Sequence, residues 1–207
     1  MVNKHLPKPD IVLGGAPVWR GWLGADAQAE MVAALRDVVA AAPLFSPETR
    51  WGKQMSVRMT SAGRYGWFSD RRGYRYIERH PSGVGWPEIP EPVMAVWRAL
   101  APEARAPDCC LVNFYQADAK MGLHQDHDEA DFSQPVLSIS LGDAALFRIG
   151  GTERRGKTQS TWLESGDVML LTGPSRRAYH GIDRIRGGSS SLLTDGGRIN
   201  LTLRVVD

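Results

Sequence analysis

The chain has 207 residues, a net charge of +2 and an ordinary composition, 43% hydrophobic and 23% charged. That length fits one domain with a sizeable core. No run of about 18 apolar residues marks a membrane span, and a balance this mildly basic does not by itself indicate nucleic acid.

The N-terminal stretch MVNKHLPKPDIVLGG lacks an apolar signal core. Cys109 and Cys110 are neighbours, which suits free thiols in a reducing cytoplasm better than a strained bridge. Residues 1–25 read as irregular, with Trp19 and Trp22 as packing anchors. Asp26 is a candidate N-cap for a helix to about residue 41. Met31, Ala34, Leu35, Val38 and Val39 give it an apolar stripe, and Pro43 and Pro47 end it. Met55, Val57 and Met59 alternate with polar residues, as in a strand.

Between residues 61 and 86, Tyr65, Trp67, Phe68, Tyr74 and Tyr76 interleave with Arg64, Arg71, Arg72 and Arg75. Two readings fit: a surface that stacks bases and holds phosphates, or a hairpin whose aromatics cover the core. Pro87, Pro90 and Pro92 make a stiff connector before a scaffold helix over 93–100. Beyond residue 106, strands are expected over 109–115, 136–141, 144–149, 160–163, 167–172 and 199–206, the pattern of a sandwich or jelly roll. Residues 186–197 form a Gly/Ser-rich loop. The basic groups around Arg71–Arg79, Arg154–Lys157 and Arg176–Arg177 suit a solvated surface.

The chemistry concentrates in LVNFYQADAKMGLHQDHDE. On an extended backbone, His124 and Asp126 point to one face. They supply two members of the 2-His-1-carboxylate set of non-haem iron oxygenases. Of the other histidines, His5 lies in a tail, His80 in the arginine-rich segment, and His127 is oddly spaced from His124. His180, after an apolar strand, is the best third ligand. A two-oxyacid chelated on such a metal needs a guanidinium for its far carboxylate. Arg198, Asn200, Thr202 and Arg204 alternate with Ile199, Leu201, Leu203 and Val205, so the last strand has one polar face. That face lines a polar pocket or the solvated side of an edge strand. Asn113 and Tyr115 share a face of their own strand.

With these motifs in place, the sequence resembles the AlkB family of Fe(II)/2-oxoglutarate-dependent dioxygenases, in its bacterial DNA-repair type. The resemblance runs through NFYQADAKMGLHQDHDE, SISLG, GDVMLL followed by YHGI, and RINLTLR. It extends more loosely to MSVRMTSAGRYGW and RRGYRYIE. It implies a mainly β (α+β) double-stranded β-helix with flanking N-terminal helices and a nucleotide-recognition lid. The chain would be a single dioxygenase domain, with residues 1–105 as extension and lid and 106–207 as catalytic core.

The resemblance also implies that His124, Asp126 and His180 bind Fe(II), with 2-oxoglutarate and O₂ as cosubstrates. Arg198 would pair with the distal carboxylate of 2-oxoglutarate, Asn113 and Tyr115 would help hold it, and Arg204 with Asn200 would sit near its metal-bound end. Trp67, Tyr74 and Tyr76 would form the lid, Trp67 stacking on a flipped base and Asp128 contacting its edge. The implied reaction is oxidative demethylation of N-alkylated bases of the 1-methyladenine and 3-methylcytosine type, with release of formaldehyde. The expected partner of this cytoplasmic monomer is alkylated DNA, preferably single-stranded, with RNA as a second class.

Leu171 stands where the pattern has a tryptophan and Ile199 where it has a tyrosine. These departures, with the 186–197 loop, bear on substrate preference. Two other readings are a dioxygenase of this fold acting on a protein or small molecule, and a non-catalytic metal-binding jelly-roll module.

Overall fold

The computed structural model describes residues 6–207; His5 lies outside them. Thirteen strands and two α-helices follow in order. They are β1 (Ile11–Leu13), β2 (Ala16–Trp19), α1 (Ala25–Ala41), β3 (Arg58–Gly63), β4 (Gly66–Asp70), β5 (Gly73–Ile77), α2 (Glu91–Leu100), β6 (Cys109–Tyr115), β7 (Met121–His124), β8 (Val136–Gly142), β9 (Ala144–Ile149), β10 (Gln159–Leu163), β11 (Val168–Leu171), β12 (His180–Arg186) and β13 (Arg198–Arg204). A seven-stranded sheet, β1-β2-β11-β8-β13-β6-β3, faces a four-stranded sheet, β10-β9-β12-β7. β4 and β5 form a separate hairpin. This is the expected double-stranded β-helix with two helices and a lid, and no helix among the described residues is long and apolar enough to cross a membrane.

The larger sheet is two-faced because its strands alternate. Leu201 and Leu203 of β13, Leu137, Ile139 and Leu141 of β8, and Cys110 and Val112 of β6 pack with Met31, Val32, Leu35 and Val38 of α1 and Val93, Val96, Trp97 and Leu100 of α2. Each such large aliphatic side chain contributes roughly 1.5–3 kcal/mol by burial. The opposite parity, Leu111, Tyr115, Val136 and Met169, meets Ala145, Phe147, Ile149 and Ile182 of the smaller sheet. Between the sheets this second core opens into a cavity of about 480 Å³.

Several local expectations are corrected. The N-terminal residues are not irregular: β1 pairs with β2, and β2 with β11. Arg20 and the backbone of Gly21 then bind Asp167 at 2.5 and 2.8 Å. The cap of α1 is Gly24, not Asp26, which lies in the first turn where a carboxylate favours the helix dipole. His180 does not merely follow a strand; it begins β12, which pairs with β7 so that His180 sits opposite His124.

That pairing depends on one glycine. A Cβ on Gly181 would lie 2.5 Å from the carbonyl oxygen of Met121 and 2.8 Å from that of Gly122. Gly181→Ala therefore pushes β7, and with it His124, away from His180. We expect metal affinity to fall about 10- to 100-fold with far-UV dichroism unchanged, as read by metal titration of the purified variant.

Candidate active site

β7 ends at His124, Asp126 lies two residues beyond it, and His180 opens β12 alongside. The ligand atoms of these three residues lie within 4.8 Å of one another. His124 Nε2 is 3.8 Å from Asp126 Oδ1 and His180 Nε2 is 3.7 Å from Asp126 Oδ2, too far for hydrogen bonds. Each imidazole donates its Nδ1 hydrogen to a backbone carbonyl, His124 to Gly122 at 3.0 Å and His180 to Ala178 at 2.9 Å. That fixes the tautomer that leaves Nε2 free to bind a metal. Burial, then the neighbouring His124, lowers His180 to about 4, so its ring is neutral near pH 7.

Asp126 is held from behind. Arg204 donates to its Oδ1 at 2.9 Å, while its buried Oδ2 has no partner. Burial opposes ionisation here, but Arg204 outweighs it and keeps the carboxyl well below its ordinary range. The other terminal nitrogen of Arg204 donates to Glu129 at 2.7 Å. Arg176 binds the second oxygen of Glu129 at 3.1 Å and the carbonyl of Asp126 at 3.0 Å. Tyr76 of the lid donates to Glu129 at 2.5 Å. A buried network of two carboxylates, two guanidiniums and a phenol thus connects the β4–β5 hairpin to Asp126.

Of the seven buried side-chain polar atoms without a partner among the described residues, five line the cavity: Asn113 Oδ1, Asp126 Oδ2, Arg198 Nε, Thr202 Oγ1 and Arg204 Nε. Such atoms are rare in folded proteins, and five in one cavity mark it as a place where a ligand, an ion or water completes the bonding. Arg198 is fully buried, bonds only to Ser140 Oγ at 2.9 Å and the Leu163 carbonyl at 3.5 Å, and makes no ion pair among the described residues. Burial lowers it to about 10, with Tyr115 and Asp167 opposing, which leaves it a cation at neutral pH. A buried guanidinium without a counter-ion is a receptor for a carboxylate. The two-nitrogen, one-oxygen donor set fits iron, and Arg198 beside it fits an oxyacid.

The predicted residues converge. His124, Asp126, His180, Asn113, Tyr115, Arg198, Asn200, Arg204, Trp67, Tyr74 and Asp128 all line the cavity. Trp67 stacks on Tyr74 with ring centroids 5.3 Å apart and donates its indole hydrogen to Asp128 at 3.0 Å. Tyr76 instead faces Glu129 and Arg204, and Arg204 engages Asp126 directly. His127 is exposed at the cavity mouth, and His80 is buried between Ser82 and the Pro43 carbonyl. Leu171 lines the cavity, whereas no residue of 186–197 does. Sequence reasoning missed Glu129 and placed Arg176 on the surface; it is buried. Arg177, next to it, is exposed, so composition carried no signal.

Residues 15–204 match the model of the 2OG-Fe(II) oxygenase superfamily. The chain is 53% identical over 200 residues to the alpha-ketoglutarate-dependent dioxygenase AlkB homolog of Caulobacter vibrioides, covering 96% of this chain and 91% of that one. It belongs to the AlkB family. Escherichia coli AlkB is 38% identical to this AlkB-family chain over 184 residues, covering 86% of this chain and 85% of that one. The solved structure of OsALKBH1 superposes with a TM-score of 0.79 at 32% identity, covering 96% of this chain and all of that one. This AlkB-family protein is an Fe(II)/2-oxoglutarate-dependent dioxygenase.

Removing the Glu129 charge leaves two buried guanidiniums short of a counter-ion. Glu129→Gln is expected to cost about 3–5 kcal/mol in urea denaturation. Burial would raise this carboxyl, but Arg204 holds it below its ordinary value of 4.5. A depressed carboxylate contributes stability above its unfolded value and loses it as pH falls through its native one. The wild type should therefore lose stability on acidification below 4.5 more steeply than the variant.

Proposed function

We propose that this dioxygenase removes alkyl groups from N-alkylated nucleobases, of the 1-methyladenine and 3-methylcytosine type, in DNA and in RNA. One observation carries the reading: the stacked Trp67–Tyr74 pair, tied to Asp128, lines the same cavity as the metal triad and Arg198. An aromatic platform beside a carboxylate suits a flat, cationic methylated base. A methyl on the pairing edge makes such a base cheaper to flip out of a duplex, and a single strand has no pairing to break at all, which favours single-stranded substrates.

In this reading His124, Asp126 and His180 hold Fe(II), Arg198 takes the distal carboxylate of 2-oxoglutarate, and Asn113, Tyr115 and Asn200 flank it. Bound iron with 2-oxoglutarate and O₂ supplies the oxidant for hydroxylating a C–H bond, with succinate and CO₂ as coproducts. Trp67 and Tyr74 orient the base so that its methyl carbon faces that centre, and Asp128 reads its edge. Arg204 keeps Asp126 ionised and fixes its rotamer from the far side. Met55, Met59, Phe147 and Leu171 line the apolar part of the cavity and exclude water. The hydroxymethyl product is a hemiaminal, which breaks down to formaldehyde and the restored base. We place the protein in the cytoplasm as a monomer, with residues 1–105 contributing the lid to one catalytic unit; the free, buried Cys109 and Cys110 suit that reducing compartment.

The test is incubation with Fe(II), 2-oxoglutarate, ascorbate and a single-stranded oligonucleotide carrying one 1-methyladenine, read by mass spectrometry. Wild type should lose the methyl and His124→Ala should not. Asp128→Ala should raise KM for the lesion about tenfold or more, the scale of a lost charge-assisted contact, while succinate still forms without substrate. Succinate formation with the methyl intact would point to a protein or small-molecule substrate instead.

A further inference from the structure

The turn at residues 49–52 carries two cavity-lining residues, Arg50 and Trp51, that have no role in the chemistry described so far. Gly52 N–H donates to the Thr49 carbonyl and Thr49 N–H to that of Lys53, both at 2.8 Å. Gly52 adopts a left-handed conformation, φ +76°, which closes a tight turn with Arg50 and Trp51 at its two corners. The segment is tied to the lid: Glu48 N–H donates to the Ser69 carbonyl at 3.2 Å, and Ser69 Oγ donates back to that of Glu48 at 2.5 Å. The Arg71 guanidinium lies against Gly52, its Nε 3.1 Å from where a Cβ would stand.

Trp51 is 74% exposed, more than any other large hydrophobic residue of the described chain. A lone exposed apolar side chain needs no explanation; its setting does. Arg50 and Trp51 both line the catalytic cavity, so this indole stands at the cavity's mouth. Arg50 lies over its ring at 4.3 Å, and Trp51 stacks on no other aromatic ring among the described residues. Arg50, Lys53, Arg71 and the cavity-lining Arg154 are exposed and make no ion pair among the described residues. Arg72 and Arg75, by contrast, share the carboxylate of Asp70. An aromatic face among unpaired cations, held on a hydrogen-bonded turn, is complementary to the base and phosphate of a polynucleotide.

We propose that Trp51 stacks on the base next to the alkylated one in the same strand, with Arg50 on the phosphate between them. The inference rests on the nucleobase-demethylase reading and deepens it. Trp67 and Tyr74 take the lesion itself, while Trp51 makes the enzyme prefer a lesion within a strand. It is a substrate-binding residue and touches none of the reacting atoms.

The experiment crosses a protein change with a substrate change. Wild type, Trp51→Ala and Trp51→Phe are assayed on two single-stranded oligonucleotides. One carries 1-methyladenine between normal nucleotides. In the other both flanking nucleotides are abasic, which keeps every phosphate and removes the stacking partners. Losing one base–aromatic stack should raise KM about tenfold. Wild type should show that rise on the abasic substrate and Trp51→Ala on the normal one. The two changes together should cost no more than either alone, and Trp51→Phe should behave nearly as wild type. Independent, multiplying effects, or no change in Trp51→Ala, would overturn the proposal. Failure of wild type to demethylate either substrate while still forming succinate would overturn the demethylase reading, and this inference with it.

Discussion

The Arg204–Asp126 pair is the contact on which the rest of the site depends. A buried carboxylate between two imidazoles is costly unless a cation compensates it. Arg204 does so at Oδ1, which leaves Oδ2 bare and turned toward His180. Asp126 is therefore ionised and oriented before any metal arrives. Glu129 and Arg176 complete the arrangement, balancing the charge of Arg204 and fixing the backbone that carries Asp126.

Through Tyr76 the same network reaches β5, whose partner strand β4 carries Trp67. The β4–β5 hairpin and the His124–Asp126–His180 cluster are thus mechanically connected through buried hydrogen bonds. A lid residue that never lines the cavity holds one of the groups that do. This explains why Tyr76, though it belongs to the lid, is turned inward.

Much of this was legible in the sequence because strand parity is so regular. The polar face of β13 follows from alternation alone, as does the shared face of Asn113 and Tyr115. His124 and Asp126 could be paired from their spacing. What stayed hidden depends on contacts between distant segments. β1 and β2 are only three and four residues long; they exist because β2 pairs with the distant β11 and β1 adds to β2. β12 mixes buried His180 and Ile182 with exposed Asp183 and Arg184, so it has no clean period. Arg176 and Arg177 are chemically identical neighbours, and only the fold decides which is buried. The Trp67–Asp128 hydrogen bond joins residues 61 positions apart, which no local pattern foretells.

The most direct test is a crystal structure of the protein grown with Mn(II) in place of Fe(II), together with 2-oxoglutarate and without oxygen. The account predicts one anomalous peak bound by His124 Nε2, His180 Nε2 and Asp126 Oδ2, with the distal carboxylate of 2-oxoglutarate on Arg198. It also predicts that Arg204 still bridges Asp126 and Glu129. A metal bound elsewhere, or a cosubstrate whose distal carboxylate takes Arg204 away from Asp126, would contradict it.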